Sequence, residues 1–122
     1  MTPELEIADL SAWSMLQPAL EISVVEVGDE VRSYLERHSD MYGLTGEICK
    51  AVRQEFGPGA LVTLHVYRDP EIEDEYLSLN VRMPAYGTET VSRMRAVADR
   101  FDGELSQSSG SILITTDFRP IQ

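Results

Sequence analysis

The residues able to do chemistry in this chain are few: His38, His65, the lone Cys49, and the acidic run Asp69-Pro70-Glu71-Ile72-Glu73-Asp74-Glu75. Nucleophilic catalysis needs a base beside a thiol or hydroxyl, and only the two histidines could supply it. Cys49 falls beside the apolar stripe of its helix, which predicts an inert, buried thiol. His38 continues the stripe of Val31, Tyr34 and Leu35 as a helix-surface or core-edge residue. His65 is more interesting. It alternates with Thr63 and Tyr67 along a strand whose hairpin mate carries Tyr76, Ser78, Asn80 and Arg82. On one face of a sheet, His65 could act as acid or base, Tyr67 and Tyr76 as walls, and Arg82 as an anion clamp. The plainer expectation is that Tyr67–Tyr76 and His65–Ser78 are ordinary cross-strand pairs.

The acidic run has the right atoms for a hard cation, but an EF-hand needs a central glycine and a glutamate at its twelfth position. This stretch has neither the glycine nor the span. Adjacent acids on a turn also repel and point into water, unlike the facing carboxylates of a glycosidase. One cysteine and two distant histidines do not make a zinc site. Gly57-Pro58-Gly59 precedes a strand and lacks the Lys-Ser/Thr of a phosphate loop. No metal site, no cofactor and no catalytic residue is therefore expected.

Charge narrows the partners. The chain carries a net charge of −11 over 122 residues. Residues 1–31 hold seven acids and no lysine or arginine; all ten bases lie beyond them. Such a field repels phosphate backbones, so nucleic acid is not an expected ligand. The aromatic pattern of RNA-recognition strands is also absent from Tyr76 to Met83. A basic protein is the expected partner. The single cysteine suits a reducing compartment. The acidic start is unlike a signal peptide, and no apolar run approaches a membrane span. The expectation is a cytoplasmic protein with no membrane partner.

Several elements must position these residues. Thr2-Pro3-Glu4 reads as a helix start, with Ile7, Leu10 and Trp13 recurring until Pro18 stops it. Leu20 to Val24 alternates apolar and polar, which predicts a strand continuing through a bulge to Val27. Val31, Tyr34, Leu35, Met41, Ile48, Cys49, Val52 and Phe56 form a helical stripe, kinked or split near Gly43 and Gly46 and ended by Gly57-Pro58-Gly59. Val62, Leu64 and Val66, then Leu77, Leu79, Val81 and Met83, mark two strands. Pairing Tyr67 with Tyr76 turns both apolar sets to one face, and a one-residue slip would expose them. Thr88 is the expected cap of a helix carrying Val91, Met94, Ala98 and Phe101, with a last strand over 111–116.

This β-α-β-β-α-β order matches the split βαβ arrangement known as ferredoxin-like: an antiparallel sheet with helices on one face. It follows an N-terminal helix or arm over 1–19, with the α+β domain over 20–122. Were 20–27 not a strand, a three-stranded αββαβ sheet would remain. The function expected is a non-catalytic, acidic interaction or regulatory module, of the kind that inhibits or neutralises a basic protein. Its contacts would be Leu5, Ile7, Leu10, Trp13, Glu71, Glu73 and Asp74, with apolar anchors supplying affinity and charge supplying on-rate. The alternative is a small enzyme or ligand sensor built on His65, Tyr67, Tyr76 and Arg82. A homodimer meeting through that same open face is expected from its aromatics.

Overall fold

The central hairpin has the register the apolar alternation demands. In the computed structural model, which describes residues 3–71, 74–116 and 118 and no side chain before residue 12, β2 spans Leu61–Asp69 and β3 spans Asp74–Arg82. Tyr67 pairs with Tyr76, His65 with Ser78 and Thr63 with Asn80. Val62, Leu64, Leu77, Leu79 and Val81 consequently share a face and are fully buried. Each such side chain is worth about 1.5–3 kcal/mol when removed from water, so the register is strongly held.

The fold is mixed α+β with a four-stranded open sheet in the order β1-β2-β3-β4. β1 (Glu26–Val27) runs parallel to β2, β2 antiparallel to β3, and β3 parallel to β4 (Ile112–Thr115). The sheet is thus not wholly antiparallel, and this order does not give the ferredoxin-like arrangement. A split βαβ unit has another strand between its two parallel strands. Here each crossover returns the chain to the position next door, so the parallel strands bond directly. The helices cover the buried face of this sheet and leave the other open.

The N-terminal segment departs most from its sequence pattern. α1 runs from Pro3 to Ser23, straight through Pro18. It therefore continues past residue 19 and absorbs the first half of the strand expected over 20–27, which shrinks to β1. Leu20 to Val24 alternates in type, yet Leu20, Ser23 and Val24 are buried while Ile22 is 79% exposed. That is helical burial, and the Val24 N–H donates to the Leu20 carbonyl at 2.7 Å. The lost bond at Pro18 is offset by packing of α1 along α3 (Tyr42–Phe56), into which Leu16 and Leu20 are drawn. Gly46 serves this contact. A Cβ there would come 3.0 Å from the Leu16 Cδ1 atom, so the glycine lets the helices approach; it does not kink α3.

The expected break near Gly43 comes earlier. α2 (Val31–Arg37) ends where His38 adopts φ −129°, ψ 64°, and a 3-10 turn over Ser39–Met41 leads into α3. α4 (Thr90–Asp99) begins two residues after Thr88, and Thr90 supplies the local bond, its hydroxyl accepting from the Gly87 N–H at 3.1 Å. α5 (Asp102–Ser106) then runs across Gly103, the expected stop.

Two side chains tie these layers. Arg53 of α3 donates to the carbonyls of Ser23 (3.0 Å), Gly57 (2.8 Å) and Ala60 (2.8 Å), joining α1, the α3 terminus and the approach to β2. The buried Tyr34 of α2 places its hydroxyl on Ser111, accepting from the N–H at 2.9 Å and donating to the carbonyl at 3.3 Å. Gly110 makes that approach feasible, since a Cβ there would fall 2.6 Å from the hydroxyl. Among the described residues no helix is long and apolar enough to cross a membrane.

Candidate functional site

The uncovered face of the sheet is concave. Alternation along β2 and β3 places Thr63, His65, Ser78, Asn80 and Arg82 there, and Glu26 of β1 and Thr115 of β4 close the sides. The hollow measures about 370 Å³. His65 Nε2 lies 2.8 Å from Glu26 Oε2, a pair made by the parallel β1–β2 register. Gly28 gives the ring its seat, because a Cβ there would stand 2.7 Å from His65 Nδ1. The side-chain oxygen of Asn80 is buried with no hydrogen-bond partner among the described residues. A buried acceptor without a donor carries a cost that a bound donor would relieve.

Of the four residues expected on this face, the structure brings His65 and Arg82 to the hollow. Tyr67 and Tyr76 pack against each other instead, with centroids 5.2 Å apart and ring planes tilted by 35°, and lie outside its lining. They are a cross-strand aromatic pair, with Tyr67 about half exposed.

The acidic run is a hairpin tip. The strands extend through Asp69 and Asp74, which face each other directly, and the Asp69 carboxylate accepts the Glu71 N–H at 2.9 Å. The parallel β1–β2 register brings the β1–α2 turn to the same end of the sheet. Arg68 joins the two, bridging Glu30 at 3.0 Å and Glu75 at 2.7 Å, while Arg37 also pairs with Glu75. Hydrogen bonds from Arg68 and then Arg37 hold the Glu75 carboxyl below its usual range, and Glu75 then Glu30 raise Arg68. Among the described residues Asp29, Glu71 and Asp74 have no cationic partner at this end; Glu73 lies outside the described residues.

Of the expected apolar anchors, Trp13 alone has a described side chain. Trp13 is partly buried against the core, with the Arg32 guanidinium 5.5 Å from its ring centroid. Leu5, Ile7 and Leu10 sit in α1, and their side chains lie outside those described. Sequence reasoning passed over Met15, 77% exposed and off the Ile7–Leu10–Trp13 stripe, and placed the exposed Ile22 in a strand. Met15 borders an apolar groove of about 400 Å³ between α1 and α3.

A second polar cluster escaped notice because its members are far apart in sequence. The Ser109 hydroxyl donates to Asp40 at 2.6 Å and stands 2.9 Å from His38 Nδ1, while the Ser109 N–H donates to Asp40 at 2.8 Å. The order carboxylate–serine–histidine differs from a catalytic triad, where the carboxylate orients the histidine. Here the serine proton is committed to Asp40, so the group works as a clamp between the 3-10 turn and the loop before β4. The Ser109 hydroxyl, followed by its N–H, holds the Asp40 carboxyl below its usual range. Cys49 is buried, and burial pushes its thiol up to about 12. Among the described residues no cluster of three or more His, Cys, Asp or Glu side chains is placed to hold a metal ion.

Comparison with protein-family models, curated proteins and solved structures finds no match for this chain.

Proposed function

We propose that this protein is a non-catalytic, cytoplasmic interaction module that docks a basic protein at the acidic end of its sheet, as an inhibitor or neutraliser would. The observation that carries the reading is the convergence of the hairpin tip and the β1–α2 turn, tied by Arg68, with Asp29, Glu71 and Asp74 left without cations among the described residues. A fixed cluster of like charge accelerates encounter with an opposite surface and selects among partners. Affinity needs apolar contact as well, and the exposed Met15 and Ile22 of α1 join Leu5, Ile7, Leu10 and Trp13 as candidates to supply it. The test is affinity capture from the native source with the wild type and with a variant carrying Asp29, Glu71 and Asp74 all changed to Ser. A basic protein enriched at low salt by the wild type and lost with the variant supports the reading. Enrichment of nothing, or equal enrichment by both, overturns it.

A second reading is favoured by one observation, the partnerless Asn80 oxygen beneath the polar hollow. A small ligand with a hydrogen-bond donor would satisfy it, with His65 as the acid or base group and Arg82 as the anion clamp. Tyr67 and Tyr76 drop out of this site as walls and remain a surface pair. Titration with small polar ligands, followed by amide shifts, should move Thr63, Ser78, Asn80 and Thr115 together; shifts scattered elsewhere rule the hollow out. A homodimer closed over this face would have to bury the same polar hollow, which makes the face a poor place for two copies to meet.

A further inference from the structure

The two edges of the sheet are unlike. β1 offers two residues before the chain turns through Gly28 into Asp29 and Glu30, a short and charged edge of the kind that resists pairing. β4 is longer, and Ser111 to Thr116 reads SILITT, with no charge and no proline. Its bonds to β3 use only one set of backbone groups. The Leu77 N–H donates to the Ser111 carbonyl at 2.9 Å, and the register Leu77↔Ile112, Leu79↔Ile114 turns Ser111, Leu113 and Thr115 toward β3. The N–H and carbonyl groups of Ile112 and Ile114 therefore point away from the sheet, and among the described residues nothing meets them. Leu113 stands 49% exposed on the open face. On the helix side, an apolar groove of about 380 Å³ runs along β4, lined by Val91, Met94, Ala98, Ile114 and the exposed Phe118.

We propose that β4 pairs antiparallel with the β4 of a second copy, joining two four-stranded sheets across a two-fold axis at Leu113. This register sets Ile112 opposite the partner's Ile114. Both carry outward backbone groups, so each such pair exchanges two hydrogen bonds. Leu113 then faces the partner's Leu113 as a non-hydrogen-bonded pair, the kind that brings side chains closest. On the other face the partner's Ile114 comes against the groove beside α4, while Ile112 stays in the core of its own copy. A second copy is the fitting occupant because the strip is complementary to itself. It also lets two chains of net charge −11 meet where acid does not face acid.

The test is solution mass combined with cysteine crosslinking of the full chain. In a non-hydrogen-bonded antiparallel pair the Cα atoms lie about 4.5 Å apart, within the range a disulfide spans. L113C should therefore form a covalent dimer under mild oxidation. T115C should do so at least about tenfold more slowly, because Thr115 faces the partner's Ser111 and not itself. Cys49 is buried and will not compete. The wild type should sediment as a dimer and L113K as a monomer with unchanged circular dichroism, since Leu113 is exposed in the single copy. A monomeric wild type, equal crosslinking of the two cysteine variants, or a dimer that survives L113K overturns the proposal.

Discussion

Removing one oxygen from Tyr34 should cost the protein about 1 kcal/mol and less than about 2. The Tyr34→Phe ring keeps its place, stacked 4.4 Å from the His38 ring centroid and beneath the Arg37 guanidinium at 5.7 Å. The Ser111 carbonyl keeps the Leu77 N–H at 2.9 Å and is still satisfied. The Ser111 N–H is not, because the Tyr34 hydroxyl is its acceptor. A stranded buried donor costs about 1–3 kcal/mol, and Ser111 is exposed enough for water to recover part of that, which places the value at the low end. For a chain of this size each kcal/mol lowers the melting midpoint by about 4 °C.

Urea unfolding followed by far-ultraviolet circular dichroism reads the change as a lower midpoint with the same slope. A midpoint shift worth less than about 0.3 kcal/mol would refute the idea that this hydroxyl anchors β4 to α2. There is an alkaline counterpart. Burial raises the Tyr34 pKa above its ordinary 10.0, against the lowering effect of the Ser111 hydrogen bond. A phenol whose pKa is raised by folding contributes its full share below the unfolded value and loses it as pH climbs through the folded one. The wild type should accordingly lose more stability above pH 10 than Tyr34→Phe does; parallel curves would contradict the shift.

Gly28→Ala should displace His65 and break its pair with Glu26 at about 1–3 kcal/mol from overpacking, read as a moved His65 imidazole resonance; an unmoved resonance would contradict the seat. Arg53→Lys should cost about 1–2 kcal/mol, because an ammonium cannot reproduce a guanidinium held by three carbonyls; a denaturation midpoint equal to wild type would show the bridge to be idle. Asp40 and Glu75 have folded pKa values below their ordinary ones, so their stabilisation is present above the unfolded pKa and lost as pH falls through the folded value. Ser109→Ala should remove the hydroxyl's part of the Asp40 share and leave the part held by the backbone N–H, making the acid limb of a stability–pH curve shallower but not flat. Changing Glu71 and Asp74 to Ser should leave stability within about 0.5 kcal/mol, and a larger loss would make the tip a structural site.

The hairpin was legible because two independent patterns agreed on it: apolar alternation set the faces, and a slip of one residue would have exposed Leu64, Leu77 and Leu79 together. Leu20 to Val24 was not legible, because alternation over five residues is also compatible with the last turn of a helix. Only packing of Leu16, Leu20 and Val24 against α3 decides between them, and that is tertiary information. Strand order was hidden for a related reason. Element order alone does not say whether a crossover lands beside its strand or leaves a gap. Most of the hollow could be read from β2 and β3, but Glu26 and Thr115 arrive through parallel pairings that local sequence does not encode. The His38–Ser109–Asp40 clamp likewise spans about seventy positions and has no local signature.

The acidic end shows how net charge and usable charge differ. Glu30 and Glu75 are acids in the composition, yet Arg68 and Arg37 already occupy them, and that occupation is what fixes the tip beside the β1–α2 turn. Asp69 and Asp74 stand opposite each other across the hairpin. Like charges directly opposite on a sheet destabilise it, but at a tip in water the repulsion at a few ångströms is only about 1 kcal/mol and salt weakens it further. A basic surface arriving there would relieve that repulsion as well as add attraction. The same geometry that makes the tip a poor metal cage, with carboxylates splayed into solvent, keeps them hydrated and reachable. On the proposed reading, a basic surface docking there would displace water and leave the strands in place.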